Sequence, residues 1–209
     1  MKPDELESRN AEMTNAAAYF TGAAQRRDKE VKIVCHETMP ENSSDCAYII
    51  QDFFYMHSTN CSIFFPAFLK QGWLKTEDKV RLLEWKVRND ITMYASRGSP
   101  ELILDEITNY EPKIPSKALN DPWQDIFARV CRFEDDGHGA KLVRTLAHGQ
   151  QVCKPYEHRS DFRLKGDMWL QLGHMAIDSV EATDGVHWVR GTGFDSAWEK
   201  VTDRTRAQL

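Results

Sequence analysis

The feature that most constrains the fold is a helix with a well-marked end, followed at once by signals for another helix. Apolar residues three and four positions apart predict an amphipathic helix from about Glu77 to Ser96. Gly98 then suits the left-handed position after a helix, Ser99 suits a cap, and Pro100 suits a first turn. The sequence therefore predicts a second helix here. Its apolar residues would be Leu102, Ile103, Ile107 and Tyr110.

Helical patterns also dominate the remainder of the chain. Asp121-Pro122 repeats the cap-then-proline pattern and predicts a helix through Val130, and further helices are predicted over 138–148, ending at Gly149, and over 162–181. A short final helix would run from Asp195 through Val201. Only residues 31–35 and 186–190 resemble strands, and both are short. The prediction is a mainly α fold, an irregular multi-helix domain with little or no sheet.

Length and composition suit a folded globular chain. It has 209 residues, of which 41% are hydrophobic and 28% charged, close to the averages of soluble domains. Residues 1–18 form a polar N-terminal lead-in in this interpretation, and 19–209 form the helical domain. The proline-rich segment 110–122 reads as a connection over the surface of that domain.

The charge and the polar interruptions exclude several classes of partner. With 27 basic and 32 acidic residues the net charge is −5, so no nucleic-acid partner is expected. Residues 47–69 are long enough to span a bilayer, but Asp52 and other polar side chains interrupt them, so no membrane is expected and a buried core helix is predicted. Five cysteines without a C-x-x-C pair and a polar N-terminus predict a reduced, cytoplasmic protein without a structural zinc site.

His57 is one candidate for chemistry, because it lies within the most apolar segment of the chain. It belongs to the sequence DFFYMH (52–57), and Asn60 and Cys61 share its helical face. A polar group in such a place must find a partner. A hydrogen-bonded core histidine and a metal ligand are both consistent with this pattern.

The segment DDGHGAKLVRTLAHG (135–149) supplies a further candidate site. His138, Lys141, Thr145 and His148 fall within an arc of roughly 80° at helical spacing. Histidine is a common metal ligand, and a deprotonated or carboxylated lysine can also bind a metal. Alternatively, Lys141 and Arg144 simply hydrate one face of a helix.

Four phrases together resemble the questin oxidase-like family. They are DFFYMH (52–57), MYASRGSPEL (93–102), DDGHGAKLVRTLAHG (135–149) and GDMWLQLGHMAIDSV (166–180), in that order. The resemblance runs from about Tyr19 to about Trp198. It implies a largely helical oxidoreductase of fungal secondary metabolism that opens the rings of anthraquinone or xanthone-type polyketides in a Baeyer–Villiger-type monooxygenase reaction.

The resemblance also implies cofactors and site residues. Dioxygen would be the oxidant, NADPH a possible cofactor, and a non-haem iron would be held by histidines and a carboxylated lysine. Matched by position, His57 and Lys141 would be the catalytic residues and metal ligands, His138 a further metal ligand, and Arg144 a neighbour that steadies the lysine. An aromatic polyketide would be the substrate, with Phe53, Phe54, Tyr55, Phe64 and Phe65 as a possible wall.

The match covers only the C-terminal half of such proteins. Their N-terminal half brings an HPxHH-like motif, and nothing in residues 1–51 resembles it. The chain is therefore expected to hold part of a metal site and to need a missing N-terminal half or another copy of itself. The alternative function is an inactive helical fragment, or an interaction module that lacks half of the active site.

Overall fold

The computed structural model describes residues 2–27, 51–118, 120–181, 188–199 and 201. The described chain is mainly α-helical, which confirms the predicted fold class. Its helices are α1 (Pro3–Ala23), α2 (Phe53–Ser62), α3 (Phe65–Leu69), α4 (Thr76–Ser96), α5 (Asp105–Thr108), α6 (Trp123–Arg132), α7 (His138–Cys153) and α8 (Met168–Glu181). A parallel pair of two-residue strands, β1 (Gln51–Asp52) and β2 (Trp188–Val189), is the sheet in this part of the chain. The predicted strand at 31–35 lies outside the described residues.

The core forms where α1, α6 and α8 pack around α7. Its largest members are fully buried, because their apolar side chains have left water for a dense interior. They include Trp169, Phe162, Leu142, Leu146, Leu172 and Ile177. Two glycines allow the helices to approach closely, since a Cβ on Gly149 or Gly173 would lie 2.6 or 2.5 Å from a tryptophan ring carbon.

The N-terminal segment contributes to this core. Residues 1–18 read as a polar lead-in by sequence, yet α1 runs through Pro3–Ala23 and buries Ala11, Met13 and Ala17. Small alanines give little hydrophobic contrast between the two sides of a helix, so the pattern does not reveal which side is buried.

The 138–148 prediction gave the correct start of α7 and a wrong end. The helix continues through Gly149 to Cys153. Gly149 packs against the ring of Trp169, so this glycine serves helix contact and does not end the helix. The helix predicted over 162–181 begins later, at Met168.

The predicted helix after Pro100 is largely wrong. α4 matches its predicted bounds closely, and Gly98 is left-handed with φ 86°. Residues beyond Pro100 are extended, however: Leu102 bridges to Ala24, and the Ile103 N–H donates to the Ala23 carbonyl at 2.7 Å. Helical structure here is confined to the four residues of α5. Pairing with the end of α1 has overridden the local helix signals.

The apolar segment 47–69 is also divided. Residues 47–50 lie outside the described chain, and the remainder forms β1, α2 and the short α3. Pro66 lies in the first turn of α3, a position where its missing N–H is tolerated. None of the described helices is long and apolar enough to cross a bilayer.

Farther on, α6 begins at Trp123, as predicted, with its N–H bound to Asp121 at 3.2 Å. The final predicted helix is a 3₁₀ turn over Asp195–Trp198.

Candidate functional site

A buried carboxylate fixes the beginning of α2. Asp52 is fully buried, and its Oδ1 accepts the N–H groups of Phe54 at 2.8 Å and Tyr55 at 3.2 Å. This is an N-cap, and it satisfies donors that the first turn would otherwise leave unpaired. It sets the direction in which α2 carries His57.

The same carboxylate also holds the C-terminal strand. Asp52 Oδ2 accepts the N–H groups of Gly191 at 2.8 Å and Thr192 at 3.0 Å, and β1 pairs with β2 in the adjacent residues. The Gly191-Thr192-Gly193 turn therefore uses its backbone N–H groups within the protein, since that of Gly193 donates to the Arg97 carbonyl. Because of this link, Trp188 and Arg190 lie beside α2.

Two aspartates and one histidine form the hydrogen bonds at the start of α7. Gly137 is left-handed with φ 87°, and Asp135 accepts the N–H groups of Gly137 and Gly139, both at 2.8 Å. His138 Nδ1 is hydrogen-bonded to Asp136 Oδ1. A carboxylate at Nδ1 favours the tautomer that leaves Nε2 free as an acceptor or metal ligand.

The two predicted histidines meet between α2 and α7. The ring centroids of His57 and His138 are 5.1 Å apart and the rings are nearly perpendicular. Phe53 contacts both, at 4.7 Å from His57 and 5.1 Å from His138, and Trp188 lies 6.3 Å from His138. The guanidinium of Arg190 lies 4.5 Å from the Phe53 ring centroid. The arrangement is a histidine pair with aromatic neighbours, one of which, Phe53, also contacts an arginine.

Burial and nearby positive charge act on His57. Burial lowers the pKa of His57, and the positive charges of His138 and Lys141 lower it further, against an opposing effect of Asp136. The neutral imidazole, which is the form that binds metals, is thereby favoured.

Lys141 belongs to this group, whereas Arg144 does not contact it. Lys141 is half-buried and lies close enough to act on the charge of His57 and of Asp136. One turn later, the Thr145 hydroxyl donates to Asn60 Oδ1 at 3.1 Å, so the predicted faces of α2 and α7 do face each other. Arg144 is exposed, and with the described residues it forms no hydrogen bond or ion pair that would steady Lys141.

Of the five aromatic residues proposed to line a substrate site, only one lies beside the histidine pair. Tyr55 and Phe65 are buried in the interior, Phe64 is exposed, and Phe54 lies under the guanidinium of Arg97. Phe53 alone of this set contacts the histidine pair.

The residues present fit part of a metal site. Two imidazoles lie close enough for both to bind one ion, one of them is oriented by a carboxylate, and a lysine lies beside them. In the described residues, however, no three His, Cys, Asp or Glu side chains group as a metal site. A third ligand from these residues would have to be Lys141 as its carbamate, and the roles of all three residues stay predictions.

Sequence reasoning missed the residues that hold the site together. Asp52 precedes the apolar run at a cap position, and Asp136 lies two residues before His138, so both carried a local signal. The local sequence gave no such signal for Trp188 and Arg190, because only the β1–β2 pairing brings them to α2.

Comparison with known proteins identifies relatives over almost the whole chain. The chain is 38% identical over 202 residues to the Baeyer-Villiger oxidase ptaJ of Pestalotiopsis fici, covering 95% of this chain and 41% of that protein. It is 37% identical over 202 residues to the questin oxidase of Aspergillus fumigatus, covering 95% and 40%. The oxidoreductase AflY of Aspergillus parasiticus is 37% identical over 188 residues, covering 90% and 34%. The chain thus spans about 40% of the length of the first two relatives.

A family model gives the same assignment. The questin oxidase-like model matches residues 1–146, which include the lead-in and both histidines of the site. The match spans more than half of the 209 residues. The chain therefore belongs to the questin oxidase-like family.

Proposed function

We propose that this chain forms part of an oxygen-dependent oxidoreductase that opens the rings of aromatic polyketides by Baeyer–Villiger-type chemistry. The observation that carries the proposal is the His57–His138 pair, which lies beside Lys141 and one aromatic wall. Relatives named Baeyer-Villiger oxidase and questin oxidase support the reaction class. NADPH stays a prediction, because the geometry described above offers no site that would be specific for it.

The chain's own residues would hold a non-haem iron and orient the substrate. His57 and His138 would bind the ion through imidazole nitrogens, with Asp136 fixing the tautomer of His138. Lys141, once carboxylated, would supply the oxygen ligand. Phe53 and Trp188 would contact a flat aromatic ring, and iron, when bound, would activate dioxygen for the oxidation.

Iron stoichiometry after anaerobic reconstitution with ferrous iron and bicarbonate tests the ligand set. We expect the 209-residue chain to bind iron, and His57→Ala and Lys141→Ala to lower iron affinity while the helical circular dichroism stays unchanged. Omitting bicarbonate should weaken binding in the wild-type chain and leave Lys141→Ala unaffected, because only a lysine carbamate needs carbon dioxide.

His158→Ala is the matched control, since His158 is an exposed histidine outside the site. Equal iron binding by His57→Ala and the wild-type chain would contradict the proposed ligand. A folded chain that binds no iron would show that these helices are insufficient alone.

The alternative function, an interaction module, is favoured by the large apolar side chains that α4 exposes. Trp85 and Ile91 are 59% and 57% exposed on this helix, although both side chains are large and apolar. The occupant we propose is the polypeptide that relatives carry beyond the matched part. Co-expression with the unmatched part of ptaJ should give co-purification that Trp85→Ser weakens. Co-purification that the variant leaves unchanged would exclude this surface.

A further inference from the structure

A cavity that neither histidine of the candidate site lines is found between the beginning of α1, the end of α3, the start of α4 and the end of α7. Its volume is about 310 Å³, enough for a small organic molecule. Leu6, Leu69, Val152 and Pro155 give it apolar walls. Nothing in the proposed oxidation uses it.

The inner wall holds a buried amide with an unused hydrogen-bonding atom. Asn10 lines the cavity and is only 3% exposed. Its Oδ1 has no hydrogen-bond partner among the described residues. Leaving a buried polar atom unpaired costs about 1–3 kcal/mol, so a leucine would be the more stable choice if only packing mattered. The amide therefore points to a ligand that completes its hydrogen bonding.

The mouth of the cavity carries positive charge. Lys70 is exposed and Lys79 half-buried, both line the cavity, and neither forms an ion pair within the described part of the chain. Glu7, the acidic residue at the cavity, is exposed. Thr76 also lines the mouth and begins α4, whose N-cap residue makes no side-chain hydrogen bond. Two lysines against one glutamate favour an anionic group at this end.

A second unpaired atom lies near the same wall. His148 is one turn before Val152 on α7, and its buried Nε2 has no partner in the described structure. Burial lowers the pKa of His148, and the charge of Lys70 lowers it further, which places that lysine close to it. One unpaired polar atom therefore lies in the cavity wall, on Asn10, and another on the helical turn before the lining residue Val152.

From this arrangement we propose that the cavity binds a small organic carboxylate. The carboxylate would lie at Lys70 and Lys79, the apolar body between Leu69 and Val152, and a hydroxyl at the inner end would hydrogen-bond Asn10. A phenolic carboxylate has this order of groups and fits the volume. The site is independent of the proposed iron ligands, so either proposal can fail without the other.

Calorimetric titration with three probes tests the order of groups. The probes are 4-hydroxybenzoate, benzoate, which lacks the inner hydroxyl, and phenol, which lacks the carboxylate. We expect 4-hydroxybenzoate to bind about tenfold more tightly than either of the others, the effect of one good hydrogen bond or charge contact. No saturable binding of 4-hydroxybenzoate, or equal binding of all three probes, would overturn the proposal.

Two variants assign the contacts. Asn10→Leu should remove the preference for 4-hydroxybenzoate over benzoate and raise the melting temperature, because it removes an unpaired buried amide. Lys79→Gln should weaken both carboxylates about tenfold and reduce the salt dependence of binding. Lys113→Gln, an exposed lysine on the 110–122 connection, is the matched control and should bind like the wild-type chain. If Asn10→Leu fails to fold, Lys79→Gln still decides, and unchanged carboxylate affinity there would contradict the site.

Discussion

Helix α8 is buried on nearly all sides, whereas helix α4 buries a charged pair and exposes large apolar side chains. In α8 the apolar residues Trp169, Leu172 and Ile177 are buried, and the buried Asp178 accepts from the Tyr110 hydroxyl at 2.5 Å and from Arg129. In α4 the charged pair Lys86 and Asp90 is buried at 6% exposure each.

The exposed side of α4 completes the contrast. Leu82, Trp85, Val87 and Ile91 are exposed although each is large and apolar. Apolar spacing therefore predicts that a segment is helical, but the neighbours available decide which side is covered. α8 has its neighbours within this chain, and we infer that the large apolar side chains exposed on α4 are available to a further one.

Truncating the tryptophan in the first turn of α8 should cost the most stability. Trp169 is fully buried, so Trp169→Ala is expected to lower the free energy of unfolding by about 3–5 kcal/mol. Urea denaturation followed by circular dichroism measures this. Trp85→Ala is the matched control on α4 and should cost far less. A loss below about 1 kcal/mol for Trp169→Ala would contradict the placement of the core at α8.

Breaking the buried pair of α4 should come next. Lys86→Met leaves Asp90 buried without its cation, and we expect a loss of about 3 kcal/mol at pH 7. The double variant Lys86→Met/Asp90→Leu should recover most of that loss, since an apolar pair needs no charge partner. A double variant as unstable as the single one would mean that α4 needs the charges themselves.

The pH dependence of Lys86→Met sharpens this test. Burial raises the pKa of Asp90, against the lowering effect of Lys86, so removing Lys86 should raise it further. With the folded pKa above the unfolded one, the folded state binds the proton more tightly, and stability rises as the pH falls through that window. We therefore expect the deficit of Lys86→Met relative to wild type to shrink between pH 7 and pH 4. A deficit independent of pH would contradict a charged, buried Asp90.

Adding one methyl group to α8 should have a smaller effect. A Cβ at Gly173 would lie 2.5 Å from Trp123 Cζ3, so Gly173→Ala forces the ring to move. Better helix propensity offsets part of the strain, leaving an expected loss of about 1–2 kcal/mol in urea denaturation. Gly72→Ala is the control, because a Cβ there meets nothing within 4 Å. Equal effects of the two substitutions would mean that the α6–α8 contact is loose.

The sequence predicts the local parts of this molecule better than its long-range parts. The bounds of α4, the start of α7 and the left-handed Gly98 follow from periodicity and glycine, and His57 and His138 do come together. The extended segment after Pro100, by contrast, depends on pairing with α1, a contact more than seventy residues distant in the chain.

The candidate site divides in the same way. Asp136 forms a hydrogen bond with His138 two residues later, so this contact could be predicted from the local sequence. Trp188 lies at the site only because β1 pairs with β2, which the local sequence does not show. Arg144 shows the converse limit: helical spacing places it one turn from Lys141, yet its side chain is exposed and does not contact the histidine pair. Spacing on one helix cannot tell which partner lies opposite.

The smallest effect on stability should come from the exposed side of α4, and it discriminates most sharply between the two helices. Trp85→Ser removes a side chain that is 59% exposed, so we expect the free energy of unfolding to change by no more than about 0.5 kcal/mol. The same variant should clearly reduce aggregation in sedimentation velocity, because it removes a large exposed apolar side chain. Leu83→Ser, on the buried side of the same helix, is the control and should destabilise the fold. If Trp85→Ser destabilised the chain as much as Leu83→Ser, both sides of α4 would be packed within this chain, and the contrast with α8 would disappear.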